Sequence, residues 1–452
     1  MFDRRRFLQQ LGGGFGLAGL QGVLQADAAR QPHFAPKAKH VIFLFLNGGM
    51  SQVDTFDPKP ALTKYDGQPM PGPKIRTDRA SGTLMRSPWE FQRYGQSGLE
   101  VSEIFPQIAR RIDDFCVIRS MHTDNGNHGP SLQMMNCGHQ LPGRPSVGAW
   151  VTYGLGTNNK NLPGFIVLCP GFPVLGSSLW SAGYMPSIYQ GVHIQNEAIE
   201  PEKLIRNLRN ANLTIDEQKR QVGLLDQLNR RYMEKVGRQP QLEGAVQSME
   251  SAFRLQTEAA DLFDIRKETE KVRARYDISD FGRGCLMALR LVESGVRMVQ
   301  IYYGNFQPWD NHDDIRVHAK LAQKTDGAIA ALVDDLKARG LFDETLIVIG
   351  SEFGRTPMIQ NSGLEKLGCG RDHNPPAFTV LLAGGGIKGG IAYGTTDDFG
   401  FKAIENKVHV HDLHATILHL LGFDHTRLTY RHAGRDFRLT DVHGEVVKGV
   451  LA

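Results

Sequence analysis

Residues 38–57 read AKHVIFLFLNGGMSQVDTFD, and this stretch decides the fold. Ala38–Leu46 is an apolar and β-branched run with no polar alternation, ending at Asn47-Gly48-Gly49. A strand covered on one face alternates apolar and polar residues, whereas one covered on both faces reads as a continuous run. The stretch therefore predicts a central strand. The same pattern recurs at Phe165–Cys169, Arg297–Tyr303, Thr345–Gly350 and Ala377–Ala383. Between the later runs lie helical stretches, 280–294 with Cys285, Leu286, Leu289 and Val292 at helical spacing, and the longer 317–339. Strand alternating with helix predicts an α/β fold around a mostly parallel sheet with crossover connections. In such sheets ligands bind beyond the carboxyl ends of the strands.

Those ends are unusually polar. The first run is followed by Asn47 and, further on, by Asp54 and Asp57, which read first as turn residues. Arg297–Tyr303 leads into Trp309, Asp310 and His312; Thr345–Gly350 leads into Ser351, Glu352 and Arg355. A Gly-rich loop then carries Arg371, Asp372 and His373. One buried aspartate or histidine is ordinary. Several strand ends delivering carboxylate, imidazole or amide to one sheet edge match a metal-assisted hydrolytic site. The candidate ligands are Asn47, Asp310, His312, Glu352, Asp372 and His373. Oxygen and imidazole donors suit a divalent metal ion: zinc, calcium, magnesium or manganese. Arg355 is placed to pair with phosphate or sulfate oxygens. His122 also follows an apolar run (115–118), while the other histidines read as structural. His128, in NHGPSLQMMNCG (127–138), reads as a reactive group, a ligand or a filler; at a helix N-terminus its pKa would be lowered.

The rest of the chain frames this site. The 452 residues, 22% charged and 41% hydrophobic, suffice for one large or two medium globular domains. Residues 1–28 carry Arg4, Arg5 and Arg6, then Phe7-Leu8, a short Gly-diluted apolar run and Ala26-Asp27-Ala28, the pattern of a twin-arginine signal peptide. The run is too short and too Gly-rich for a membrane span. The expected location is periplasmic or secreted. Removing it takes away three Arg and two Asp, so the formal net charge moves from +4 to +3. Such a near-neutral chain gives no hint of nucleic-acid binding. Five widely spaced cysteines, an odd number with no C-x-x-C, argue for buried thiols over a disulfide framework. Residues 201–276 are rich in Gln, Arg, Glu and Leu and read as a helical insertion, with helices at 214–236 and 242–265. Residues 67–98, rich in Gly, Pro, Ser and Arg, read as a long surface excursion.

The motifs FLFLNGGMSQVDTFDPKP, YQG (189–191), LVESGVRMVQIYYG, WDNHDD, GSEFGRTP, GRDHNP, GGGIKGGIAYGTTDDFG and HDLHATILHLLG (411–422) carry a resemblance. The chain resembles the alkaline phosphatase–sulfatase superfamily and, within it, the exported bacterial group called the domain of unknown function 1501 family. The resemblance spans residues 38–440 and implies an alkaline-phosphatase-like three-layer sandwich. It places Asn47 where the superfamily has a ligand aspartate, and Glu352-Phe353 where it has Asp-His. Asp310 and His312 resemble the mid-chain ligand pair, and His373 the late ligand histidine. Laid on the sulfatase nucleophile motif, the chain matches at Pro130, Ser131 and Gly138, and His128 falls at the nucleophile position. That implies a metal-dependent hydrolase of phosphate or sulfate esters without the usual Cys, Ser or Thr nucleophile, acting on a small-molecule or polysaccharide ester. The alternative is a non-catalytic or weakly active exported binding or scaffold protein that kept the fold.

Overall fold

The structure is a computed structural model. It describes residues 31–72, 76–159, 162–204, 214–237, 243–248, 253, 260–277, 279–361, 363 and 368–452. The expected signal peptide lies outside these residues, as does part of the expected helix at 242–265 (242, 249–252 and 254–259).

The strands that build the site are β1 (His40–Phe45), β2 (Ser81–Leu84), β3 (Phe115–His122), β4 (Phe165–Leu168), β5 (Val192–Ile194), β6 (Met298–Tyr302), β7 (Thr345–Gly350), β8 (Gly354–Gln360), β9 (Arg371–Asn374), β10 (Phe378–Ala383), β11 (Ile391–Tyr393) and β12 (Val408–His409). The longer helices among the described residues are α1 (His128–Cys137), α2 (Val147–Leu155), α3 (Ile215–Val236), α4 (Asp280–Glu293), α5 (Val317–Ala338) and α6 (Val410–Leu420). The main sheet runs β11–β3–β10–β7–β1–β6–β4–β5, with β12 also paired to β3. The strand at the heart of the opening stretch, β1, lies between β7 and β6 and pairs parallel to both. Every residue of β1 is buried. Ile42 and Leu44 face a layer that includes α4 and α5, while Val41, Phe43 and Phe45 face α1, α2 and α6. That alternation explains the unbroken apolar run: both faces are core, and the architecture is a three-layer α/β/α sandwich. Each such side chain contributes about 1.5–3 kcal/mol by burial.

One strand departs from the parallel expectation. β10 runs antiparallel to both β3 and β7. A parallel return needs a crossover of a dozen or more residues, usually a helix. Here the chain leaves β7 into the short strands β8 and β9 and turns straight back into β10. β9, β8 and β2 form a separate antiparallel sheet, with Arg355 paired in register to His373.

α1 is shaped by its sequence. Pro130 sits in the first turn, where a missing N–H costs little. Gly138 ends the helix in the left-handed region (φ 64°), and a Cβ there would lie 2.1 Å from the Leu439 carbonyl oxygen. α3 starts with a capping box between Thr214 and Glu217. All five cysteines are unpaired, and four of them are buried. Among the described residues no helix is long and apolar enough to cross a membrane.

Candidate metal centre

The carboxyl ends of β1, β3, β6 and β7 open on one edge of the sheet, and the β8–β9 sheet folds over it. Four side chains meet there: His128 from the start of α1, Asp310 and His312 from the loop between β6 and α5, and His373 from β9. Their ligand atoms all lie within 4.8 Å of one another. His312 Nε2 is 2.8 Å from Asp310 Oδ1, and His373 Nε2 is 3.2 Å from the same oxygen. His128 Nε2 is 3.3 Å from Asp310 Oδ2.

Two of the three imidazoles, His128 and His312, are oriented by a hydrogen bond at their other nitrogen. His128 Nδ1 donates to Glu352 Oε1 at 2.7 Å, and His312 Nδ1 donates to Gln360 Oε1. Asp78 Oδ2 lies 3.8 Å from His373 Nδ1. Oxygen acceptors on the Nδ1 side leave the Nε2 lone pairs turned to a common point, the arrangement found around protein-bound metals. The Nε2 atoms of His312 and His373 are 2.9 Å apart. Two lone pairs at that distance repel unless a proton or a cation lies between them. Four donors around zinc, each about 2.0–2.1 Å from the ion, stand roughly 3.3 Å apart. The residues present therefore fit a divalent cation.

The charge states of Asp310 and His373 agree with this fit. Burial pushes the Asp310 carboxyl up, but hydrogen bonds to His128, His312 and His373 and the Arg355 charge outweigh it and hold Asp310 well below the carboxylate range. Burial, aided by the Arg355 and His128 charges, lowers His373 to about 3 despite its bond to Asp310. His128 departs from the lowered value expected at a helix N-terminus. Burial does push it down, but the Asp310 and Glu352 carboxylates raise it overall.

The remaining sequence candidates stand outside the four-residue group. Glu352 is fully buried and accepts from the Gly48 backbone N–H at 3.0 Å as well as from His128. It orients the His128 ring. Gly48 makes this approach possible: its φ is +121°, and a Cβ there would lie 2.5 Å from the Asp310 backbone nitrogen. The Asn47 amide nitrogen donates to the Gly304 (3.1 Å) and Phe306 carbonyls, and its buried Oδ1 has no hydrogen-bond partner among the described residues. Asp372 accepts from the backbone N–H groups of His373 (2.8 Å) and Arg79 (2.6 Å). Arg355, expected to pair with phosphate or sulfate oxygens, turns inward instead. Its guanidinium is fully buried and donates to the carbonyls of Gly48, Gly49, Arg371 and Trp309 and, at 2.6 Å, to Asp310. Of the weaker candidates, Asp54 forms a buried two-point pair with Arg371 at 2.7 and 3.0 Å, and Asp57 pairs with Lys59 at 3.0 Å. His122 lies beside His409, with ring centroids 5.1 Å apart.

Asp78 is the residue that the sequence reading missed. It belongs to the supposed surface excursion, which pairing of β2 with β8 lays against the site. The only local signal was a cluster of charge, Arg76-Thr77-Asp78-Arg79, inside a Gly/Pro-rich loop.

The chain is similar to several solved structures. The lipoteichoic acid synthase LtaP from Listeria monocytogenes matches at 9% identity with a TM-score of 0.39, over 93% of this chain and 78% of that one. The PsFucS1 sulfatase from Pseudoalteromonas sp. matches at 12% identity and 0.33, over 89% and 70%. An alkaline phosphatase from the Antarctic bacterium TAB5 matches at 10% identity and 0.31, over 78% and 92%. No curated protein matches the chain. Over residues 38–451 the sequence matches the model of one family, and the chain belongs to it: the family described as "Protein of unknown function (DUF1501)".

Proposed function

We propose that this protein is an exported, metal-dependent hydrolase of phosphate or sulfate esters that works without a hydroxyl or thiol nucleophile. The observation that carries the reading is the convergence of three imidazole Nε2 atoms on one carboxylate. Three nitrogens and one oxygen support zinc or another first-row divalent ion ahead of calcium or magnesium, which take oxygen ligands. Such an ion, when bound, supplies Lewis acidity toward an ester oxygen and toward water. The chain's own residues do the rest. His128, Asp310, His312 and His373 hold the cation. Glu352 and Gln360 keep the His128 and His312 rings turned inward, and Arg355 pins Asp310 to the backbone of the β1 turn. With histidine at position 128, attack by water fits better than a covalent oxygen or sulfur intermediate. The twin-arginine pattern of residues 1–28 supports export.

A second reading, a binding protein that kept the fold, has one observation in its favour. His128 stands where the resemblance puts a nucleophile, yet both of its ring nitrogens face carboxylates. One experiment separates the two. The full chain, purified without chelator, is analysed for metal and assayed against 4-nitrophenyl phosphate and 4-nitrophenyl sulfate. The hydrolase reading expects about one ion per chain and turnover that Asp310→Asn abolishes together with the metal. Metal without turnover of either ester favours the binding reading. A folded chain that takes up no divalent ion overturns both the centre and the reaction.

A further inference from the structure

Beside the metal centre lies a cavity of about 550 Å³, lined by residues 69–70, 72, 76–82 and Met358. Its floor is the small sheet that also carries His373: Ser81 belongs to β2 and Met358 to β8. Two links join cavity and centre. The Arg79 backbone N–H donates to Asp372 Oδ2 at 2.6 Å, next to His373, and Asp78 Oδ2 approaches His373 Nδ1 to 3.8 Å.

The charges around this cavity differ from those inside the site. Arg355 and Arg371 are fully buried, and their donors are taken up by backbone carbonyls, Asp310 and Asp54. Neither can turn to a substrate. Arg76 and Arg79 are exposed, and among the described residues neither guanidinium has a hydrogen-bond or ion-pair partner within contact distance. Both influence Asp78 electrostatically. The loop that carries them is held in shape: the Thr77 hydroxyl donates to the Arg79 carbonyl at 2.6 Å and lies 2.9 Å from the Ser81 hydroxyl. Met70 and Met358 supply an apolar wall. Two unspent guanidiniums over a walled cavity, opening beside a cation site, are matched to a tetrahedral oxyanion with an organic remainder.

We infer that this cavity is an anion subsite in which Arg76 and Arg79 bind a phosphate or sulfate group of the substrate, taking the part that Arg355 is too buried to play. The inference rests on the hydrolase reading for its substrate, but it stands on different residues. Loss of one charge-assisted hydrogen bond weakens binding by roughly tenfold or more. The test is calorimetric titration of the full chain, loaded with zinc, with inorganic phosphate and separately with inorganic sulfate. The expected result is binding of at least one anion that weakens about tenfold or more in Arg76→Gln/Arg79→Gln, with zinc content unchanged and Arg76→Lys/Arg79→Lys partly restored. The tighter of the two anions names the ester class. Anion affinity unchanged in the Gln variant, or no binding of either anion by the parent, overturns the inference while leaving the metal centre and the reaction standing. A chain that takes up no zinc yet binds phosphate through these arginines keeps the subsite and overturns the hydrolase reading. The side chains are exposed, so the melting temperature of the variants checks that the fold is retained.

Discussion

Glu352→Gln keeps the shape of the side chain but replaces one carboxylate oxygen with an amide group. His128 Nδ1 then meets a weaker acceptor or an N–H donor, and the ring loses the partner that aims its Nε2 at Asp310. Removing a carboxylate that orients a ligand histidine typically costs ten- to a hundredfold in metal affinity. That drop is expected here, read by competition with a chromophoric chelator, with one ion per chain still bound at saturation. Affinity equal to the parent's would mean that Glu352 only packs. The buried Asp54–Arg371 pair shows why charge at this edge is not all site chemistry. A buried ion pair broken at one end leaves an uncompensated charge, at about 3–5 kcal/mol.

At the scale of elements, α6 packs against α1 and so backs the helix that presents His128. His414 in α6 donates from Nε2 to the Met135 carbonyl of α1 at 2.9 Å, and burial lowers its pKa to about 3. The sign follows from linkage. A group whose folded pKa is depressed stabilises the fold fully above its unfolded value, about 6.5, and loses that contribution as pH falls toward 3. Between pH 7 and pH 5 this one group accounts for a loss of about 2 kcal/mol, at 1.36 kcal/mol per pKa unit. His414→Gln keeps an N–H donor and has no titration. Its stability, measured by urea unfolding with chelator present, is expected to fall less over that range by about this amount. An undiminished pH dependence would place the acid sensitivity elsewhere, for example in His40 or His409, whose pKa values burial also lowers.

For the whole molecule, the four candidate ligands come from segments that are far apart in the chain: α1, the β6–α5 loop and β9. A cation held by the native state alone stabilises it by RT ln(1 + [L]/Kd), about 2.7 kcal/mol at a hundred times Kd. Zinc is therefore expected to raise the melting temperature by a few degrees and chelator to reverse it. The same melting curve with and without zinc would count against a site built by the fold. Much of this organisation is legible in the chain. Unbroken apolar runs identify the central strands, because burial on both faces removes polar alternation, and His128, Asp310, His312 and His373 are recognisable as chemistry-bearing residues at the polar edge. The tasks of Asn47, Glu352, Arg355, Asp372 and Asp78 are another matter. A carboxylate at a strand end reads alike whether it faces a cation or a neighbouring imidazole, and a Gly/Pro-rich loop with two arginines reads as surface.

By itself, then, the sequence determined the α/β layering, the edge where chemistry gathers and the residue types available there, since local pattern reports burial and periodicity. Only the tertiary structure decided that β10 runs against its neighbours, that Arg355 turns inward onto backbone carbonyls, and that the 76–82 loop lies beside His373. Those outcomes depend on which distant strands pair and on how buried charges find partners, and neither is written in any short stretch of residues.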